Sequence, residues 1–276
     1  MRVVDVEPFE LFAVKFSQHD GRKRDDNFVA ANVFLADDPH LNAPQINYYV
    51  WVARRSDKVY VIDTGFEARA AHERGRLLDG LPVEQLARLG IHGNDITDVI
   101  LTHLHYDHAG GMTGFPKARF HVQDAEAAYA TGRCMCHDYL RYPFDVEDIT
   151  NFVRLNFAGR IAFHDGDDCL ADGITLHRVG GHTGGMQVVR VFTGRGWVVI
   201  ASDATHFYAN YRNNLVFPLV YNTGGLLDGY RTIRNLASSD DHIIPGHDPL
   251  VMQLYPSPSS ELAGVVACLH MPPRFV

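Results

Sequence analysis

No stretch of this chain approaches the roughly 20 apolar residues that a membrane-spanning helix needs. The opening residues, Met1-Arg2-Val3-Val4-Asp5-Val6-Glu7-Pro8, place acids where a secretion signal needs an apolar core. Together these absences lead us to expect a soluble, cytoplasmic protein with no membrane partner. Cysteine is scarce too. Four in 276 residues, at 134, 136, 169 and 268, are too few for a disulfide scaffold. Cys134-Met135-Cys136-His137 looks like a metal fragment but lacks a second Cys/His pair at structural-zinc spacing, so ordinary thiols are expected there. Positive charge is also short, with 25 Lys and Arg against 33 Asp and Glu and a net charge of -8. Nucleic-acid backbones are bound by basic faces, and no Lys/Arg cluster offers one. The run Arg22-Lys23-Arg24 is answered at once by Asp25-Asp26 and reads as a solvated loop.

What the chain has in excess is histidine, sixteen in all. The densest group lies in Thr102-His103-Leu104-His105-Tyr106-Asp107-His108-Ala109-Gly110-Gly111, between the apolar run Val99-Ile100-Leu101 and a glycine pair. Residues i and i+2 of an extended chain share a face, so His103 and His105 point the same way. Asp107 and His108 fall where the chain turns and can aim at a second ion. The glycine pair lets the backbone turn sharply without steric cost.

In chain order, Phe9 to Phe16 alternates like an edge strand, 17–27 is a polar loop, and Phe28 to Leu35 is an apolar strand or wall segment. Pro39 and Pro44 then break the chain. Ile46–Ala53 and Lys58–Ile62, around Arg54-Arg55-Ser56-Asp57, form a hairpin that ends in Asp63-Thr64-Gly65. Helices are expected over Phe66–Leu78, Val83–Leu89, Asp124–Thr131, Glu147–Phe157 and Leu226–Ala237. Strands are expected at Asp98–Leu101, Ala118–Val122, Arg160–Phe163, Ile174–Val179, Gln187–Phe192, Trp197–Ala201 and His242–Ile244. Residues 133–148 and 206–222 read as irregular. Strands followed by mixed strand–helix units, twice over, indicate a single α+β domain over 1–276, a four-layer αββα sandwich.

Three further ligand candidates follow strands. They are His182 in Gly180-Gly181-His182-Thr183-Gly184-Gly185, Asp203 in Ala201-Ser202-Asp203-Ala204, and His247 in Pro245-Gly246-His247-Asp248. With His103, His105, Asp107 and His108 they make seven, five imidazoles and two carboxylates. That set suits zinc, and also iron, manganese or cobalt, better than calcium or magnesium. Seven ligands exceed what one tetrahedral ion takes. They fit two ions about 3.5–4 Å apart that share a carboxylate and a water.

These motifs resemble the metallo-β-lactamase superfamily over roughly residues 45 to 250, from Asp63-Thr64-Gly65 through the histidine cluster to His182, Asp203 and His247. The resemblance implies the αββα fold. It also implies that His103, His105 and His182 hold one metal, that Asp107, His108 and His247 hold the other, and that Asp203 bridges. Within the superfamily the wording is similar to the N-acyl-homoserine lactonase group, in Gly181-His182-Thr183-Gly184-Gly185-Met186-Gln187, Ser202-Asp203-Ala204 and Gly246-His247-Asp248. Those lactonases usually carry a substrate-contacting tyrosine three residues after the bridging aspartate. Here that position is His206, with Tyr208 two further on as the alternative.

The expected activity is therefore opening of a small lactone by a metal-bridging hydroxide. Asp107 is the candidate to carry the proton, and His206 or Tyr208 to assist the carbonyl oxygen. The partner is a small-molecule substrate, and pairing of two copies stays open. Rival readings are a glyoxalase II-like thioesterase, a broad esterase or phosphotriesterase, and a non-catalytic metal sensor. Asp63 is expected either to orient a ligand histidine or to cap the next helix, and Asp248 to be structural. Aromatic residues of 133–160 and 206–221 are candidate walls, and Arg141, Arg154 and Arg212 candidate carboxylate binders. His121, His164, His177 and His242 are expected to be structural.

Overall fold

The computed structural model describes residues 6–29, 45–56 and 58–274. Strand β1 (Glu10–His19) pairs antiparallel with β2 (Ile46–Arg55), which turns back into β3 (Lys58–Ile62). Strands β5 (Asp98–Ile100), β6 (Arg119–Gln123) and β7 (Ile161–His164) follow β3 in parallel. On the edge of β1 away from β2, β13 (Val266–Cys268) pairs at Phe12–Val14 and short β4 (Leu77–Leu78) at Ser17–Gln18. The second sheet runs β12-β11-β10-β9-β8, with β8 at Asp168–Ala171, β9 at Ile174–Arg178, β10 at Gln187–Thr193, β11 at Gly196–Ser202 and β12 at Ile243–Pro245.

Period-2 alternation decides which face each side chain serves. Leu11 and Ala13 of β1, with Tyr49 and Trp51 of β2, enter the core between the sheets beside Val189, Val191, Val198 and Ile200. Their neighbours Phe12, Val14, Phe16, Tyr48 and Val50 enter a second core on the opposite face. Over that face lie α1 (Ala68–Arg74), α2 (Pro82–Ala87), α3 (Tyr106–Ala109), α4 (Asp124–Thr131), α5 (Asp138–Arg141) and α6 (Val146–Phe157). Beyond the second sheet lie α7 (Tyr208–Asn213), α8 (Thr223–Leu236) and α9 (Leu250–Leu254). The αββα expectation holds, and helix Asp124–Thr131 has the bounds read from the sequence.

Several local expectations change. The helix expected over Phe66–Leu78 ends at Gly75, which turns left-handed at φ 64. Residues 133–148 and 206–222 hold α5 and α7 instead of being irregular throughout. β8 and β13 were not anticipated. Phe28 is buried in the helix-side core, whereas 30–35, Pro39 and Pro44 lie outside the described residues. The glycine pair Gly110-Gly111 does not serve a sharp turn, because both have negative φ. Its service is closeness: a Cβ on Gly111 would sit 2.2 Å from the Thr64 carbonyl oxygen. No helix among the described residues is long and apolar enough to cross a membrane.

Candidate metal centre

Strands β3, β5, β9, β11 and β12 end at one rim, and the ligand candidates follow β5, β9, β11 and β12. Past Ile62, Asp63 continues the pairing through its N–H to the Ile100 carbonyl at 2.8 Å. Its carboxylate accepts from the Thr102 N–H at 2.7 Å, the Thr102 hydroxyl at 2.8 Å and His108 Nδ1 at 2.8 Å. Asp63 therefore orients His108. The residue preceding α1 as its cap is Glu67. The Thr102 carbonyl accepts from Gln187 N–H at 2.9 Å, which ties the cluster to the second sheet.

Two groups of ligand atoms result. His103, His105, His182 and Asp203 form one, and Asp107, His108 and His247 form the other. His105 Nδ1 lies 3.0 Å from both His103 Nε2 and His182 Nε2. Asp203 stands between the groups. Its Oδ2 is 3.1 Å from His182 and 3.9 Å from His103, while its Oδ1 is 2.9 Å from His247 and 3.3 Å from His108. Asp107 Oδ2 is 3.7 Å from both His108 and His247. The Cβ that Gly246 lacks would fall 2.7 Å from Asp203 Oδ1, so that approach requires glycine.

The donor chemistry fits cations. His182 Nδ1 donates to the Leu219 carbonyl and His247 Nδ1 to the Asn47 carbonyl, each at 2.8 Å, which turns the Nε2 of each ring inward. Both nitrogens face the Asp203 carboxylate, at 3.1 Å from His182 and 2.9 Å from His247, an arrangement that a cation between them would complete. His108 Nε2 and Asp203 Oδ1 are buried with no hydrogen bond. Metal cations bound here would satisfy these atoms.

Electrostatics point the same way. Burial pushes the Asp203 carboxyl up, but His206, His247 and His108 outweigh it and hold it well below the usual carboxylate range. Burial lowers His103 and His105, as do the neighbouring imidazoles. His108 and His247 lie above the usual histidine value because Asp203 and Asp107 overcome their burial.

His206 enters the cavity that opens onto the cluster. Its Nε2 is 3.1 Å from Asp203 Oδ2, and its ring stacks on Phe217 at 3.6 Å and 6°. Burial pushes it down to about 3, so it is neutral. With Asp203 and His247 it forms a third grouping of potential ligands. Tyr208 is placed elsewhere. It is buried at the start of α7 on the outer side of the second sheet, its ring under the Arg212 guanidinium at 4.9 Å, and it does not line the cavity. The side chain of Asp248 accepts from the N–H groups of Tyr208 and Leu250, a structural role.

The cavity measures about 270 Å³. Arg141, Arg154 and Arg212 do not line it, whereas Arg22, Arg74 and Arg76 do. The loop of Arg22 was expected to be solvated, but this side chain turns inward, half-buried, bonding Asn27 Oδ1 at 2.6 Å. Of the candidate aromatic walls, Tyr142 and Phe217 line this cavity. Sequence reasoning missed Tyr48, Tyr106 and Arg76, and also Glu126. The buried Glu126 accepts from the Leu104 and Gly185 N–H groups and the Thr183 hydroxyl, joining the two histidine-bearing loops. The four histidines expected to be structural pair with acids. His121 bridges Asp98 and His164, His164 bonds Asp168, His177 lies 2.9 Å from Asp167, and His242 lies 3.0 Å from Asp241. The four cysteines are free.

A two-sheet sandwich with a buried His/Asp cluster at one rim defines a class of metal-dependent proteins. The chain belongs to the metallo-beta-lactamase superfamily, whose family model matches residues 43–248. A metallo-hydrolase of Mycobacterium tuberculosis is 26% identical over 259 residues, spanning 78% of this chain and 81% of its own. The N-acyl homoserine lactonase AiiB of Agrobacterium fabrum is 29% identical over 212 residues, 68% of this chain and 75% of that one. Among solved structures, a quorum-quenching N-acyl homoserine lactone lactonase superposes with a TM-score of 0.70 at 20% identity, covering 89% of this chain and 94% of that one.

Proposed function

We propose that this protein is a dinuclear metal-dependent hydrolase that opens small lactones. The observation that carries the reading is Asp203, which turns one carboxylate oxygen toward each of two ligand groups. His103, His105 and His182 would hold one ion, Asp107, His108 and His247 the other, with Asp203 shared. When bound, such a pair supplies polarisation of an ester carbonyl and activation of water near neutral pH.

The chain's own residues do the rest. Thr102, Asp63, Leu219 and Asn47 fix the imidazoles, so little reorganisation accompanies reaction. Asp107, at the cavity edge, is placed to pass a proton to the leaving alkoxide. In this reading His206, braced by Phe217, would hold the substrate by a hydrogen bond. A cavity of about 270 Å³ lies at or below the small end of ligand sites, which favours a compact ring over a long acyl chain.

Stripping with EDTA should abolish lactone hydrolysis, and Zn²⁺, Mn²⁺ or Co²⁺ should restore it, with two ions per chain by elemental analysis. Full activity without metal, or faster turnover of thioesters or phosphotriesters than of any lactone, would overturn the proposal.

A further inference from the structure

We infer that the cavity beside the metal centre contains an anion subsite built from Arg76 and Arg22, and that the substrate carries a second, negatively charged group close to its scissile ester. The inference rests on the hydrolase reading and names the substrate class for it.

The chain is acidic overall, at -8, yet this cavity is lined by Arg22, Arg74 and Arg76. Its acids are Asp26, Asp107 and Asp203, and the last two belong to the ligand groups. The wall facing away from the ligands is therefore cationic. Arg74 is already committed. It donates to the carbonyls of Tyr142 and Phe144 and covers the Tyr106 ring at 4.0 Å. Arg22 and Arg76 are different. Arg22 spends its bonds on Asn27 and a backbone carbonyl, and Arg76 Nε donates to the Tyr106 hydroxyl at 3.1 Å. Among the described residues neither forms an ion pair with a carboxylate. A guanidinium carries five donors, so Arg76 keeps its terminal nitrogens for a ligand.

Arg76 is held in place by its backbone. Gly75 turns left-handed before it, its own N–H bonds the Ala71 carbonyl at 2.8 Å, and Leu77 after it is paired into the sheet with Gln18. The Ser17 hydroxyl donates to the Leu77 carbonyl at 2.8 Å. An arginine pinned this way loses little freedom when it binds an anion. His19 sits on the same wall with Nδ1 buried and unbonded. Burial, Arg76 and Arg22 push it down to about 4, so it is neutral, and its ring adds polarity without competing charge.

Distance sets the substrate's length. The Tyr48 ring lies 5.3 Å from the His247 ring and 6.0 Å from the Arg76 guanidinium, so one aromatic ring separates the ligand group from the cation. Only a few carbons fit between a scissile carbonyl and the anion. A larger apolar hollow of about 590 Å³ shares only Tyr142 with this cavity, and Phe144, packed on His105 at 4.6 Å, lies between it and the ligands.

The test uses zinc-loaded protein and a matched pair of γ-lactones, 5-oxotetrahydrofuran-2-carboxylate and its neutral carboxamide. Wild type should favour the carboxylate about ten-fold or more in kcat/KM, chiefly through KM. Arg76→Gln should erase that preference, Arg22→Gln should reduce it, and Arg154→Gln, on exposed α6, should leave the ratio unchanged. Calorimetry gives a readout independent of turnover. The dianion 2-hydroxyglutarate should bind at least about ten-fold tighter than 4-hydroxybutyrate, and the gap should close in Arg76→Gln. Arg76→Lys, which keeps the charge, should retain part of it, and this separates lost recognition from a folding defect. Equal binding of the two acids by wild type, or a preference that survives Arg76→Gln, would overturn the subsite. Arg76-dependent dianion binding without turnover of any lactone would sustain the subsite and sink the lactonase reading.

Discussion

Asp63 shows how much rests on one buried side chain. It sits at φ 59, a conformation non-glycine residues rarely adopt, and accepts three hydrogen bonds, one of them from a candidate ligand. Asp63→Asn keeps the shape but replaces an acceptor oxygen with an amide donor, so His108 loses its fixed tautomer. Metal affinity should fall about 10- to 100-fold, read by competition with a chromogenic chelator, and an unchanged affinity would confine Asp63 to a folding role. The sequence shows a carboxylate after a strand but cannot separate an orienting role from a helix cap, since both look alike in Asp-Thr-Gly. Only the approach of β5 to β3 brings Thr102 and His108 to it. Arg76 was hidden for another reason. It falls in a run that reads as helix, and the stop at Gly75 is what swings it into the cavity.

At the level of single elements, legibility followed local pattern. Hairpin β2–β3 and helix α4 are written in β-branched runs and in composition. β8 and β13 are not. Asp-Cys-Leu-Ala and Val-Ala-Cys lack alternation, and they are strands because β9 and β1 offer them partners. Helix α6 carries a testable titration. Burial, with Asp145 adding to it and Arg69 and Arg74 opposing, raises the Asp148 carboxyl to about 7. Its Oδ2 is buried without a hydrogen bond. A carboxyl raised in the folded state binds its proton more tightly there than in the unfolded chain. Stability is therefore highest below the unfolded value of about 4, falls as pH rises toward 7, and levels off beyond. With EDTA present throughout, Asp148→Asn should melt higher than wild type at pH 8 by about 1–2 kcal/mol equivalent, discounted for partial exposure, and should match it at pH 4. A constant difference at both pH values would place the cause outside this titration.

Across the whole molecule, the two sheets and two cores stand or fall together, because β1 and β2 feed both. The last strand is part of that arrangement. Val266, Ala267 and Leu269 are buried, and β13 covers the edge of β1 through Phe12–Cys268, Ala13–Ala267 and Val14–Val266. Truncation after Gly264 removes those side chains and bares a strand edge. Losing the buried Val and Leu alone should cost about 3–6 kcal/mol, and the bared edge should promote aggregation. Denaturant unfolding and light scattering on the shortened chain read both effects, and a soluble protein of unchanged midpoint would show that β13 is dispensable.

The contact between His182 Nδ1 and the Leu219 carbonyl reaches beyond the reaction. Phe217, Pro218 and Leu219 wall the cavity, so one short loop both shapes that cavity and steers a candidate ligand imidazole. Because the tether is a backbone carbonyl, side chains at 218 and 219 can change without breaking it, whereas Phe217 also stacks on His206. The loop cannot lengthen or shorten without turning His182 out of register. Sequence change in this loop is thereby channelled into substitutions at 218 and 219, and insertions are pushed to segments that carry no such tether.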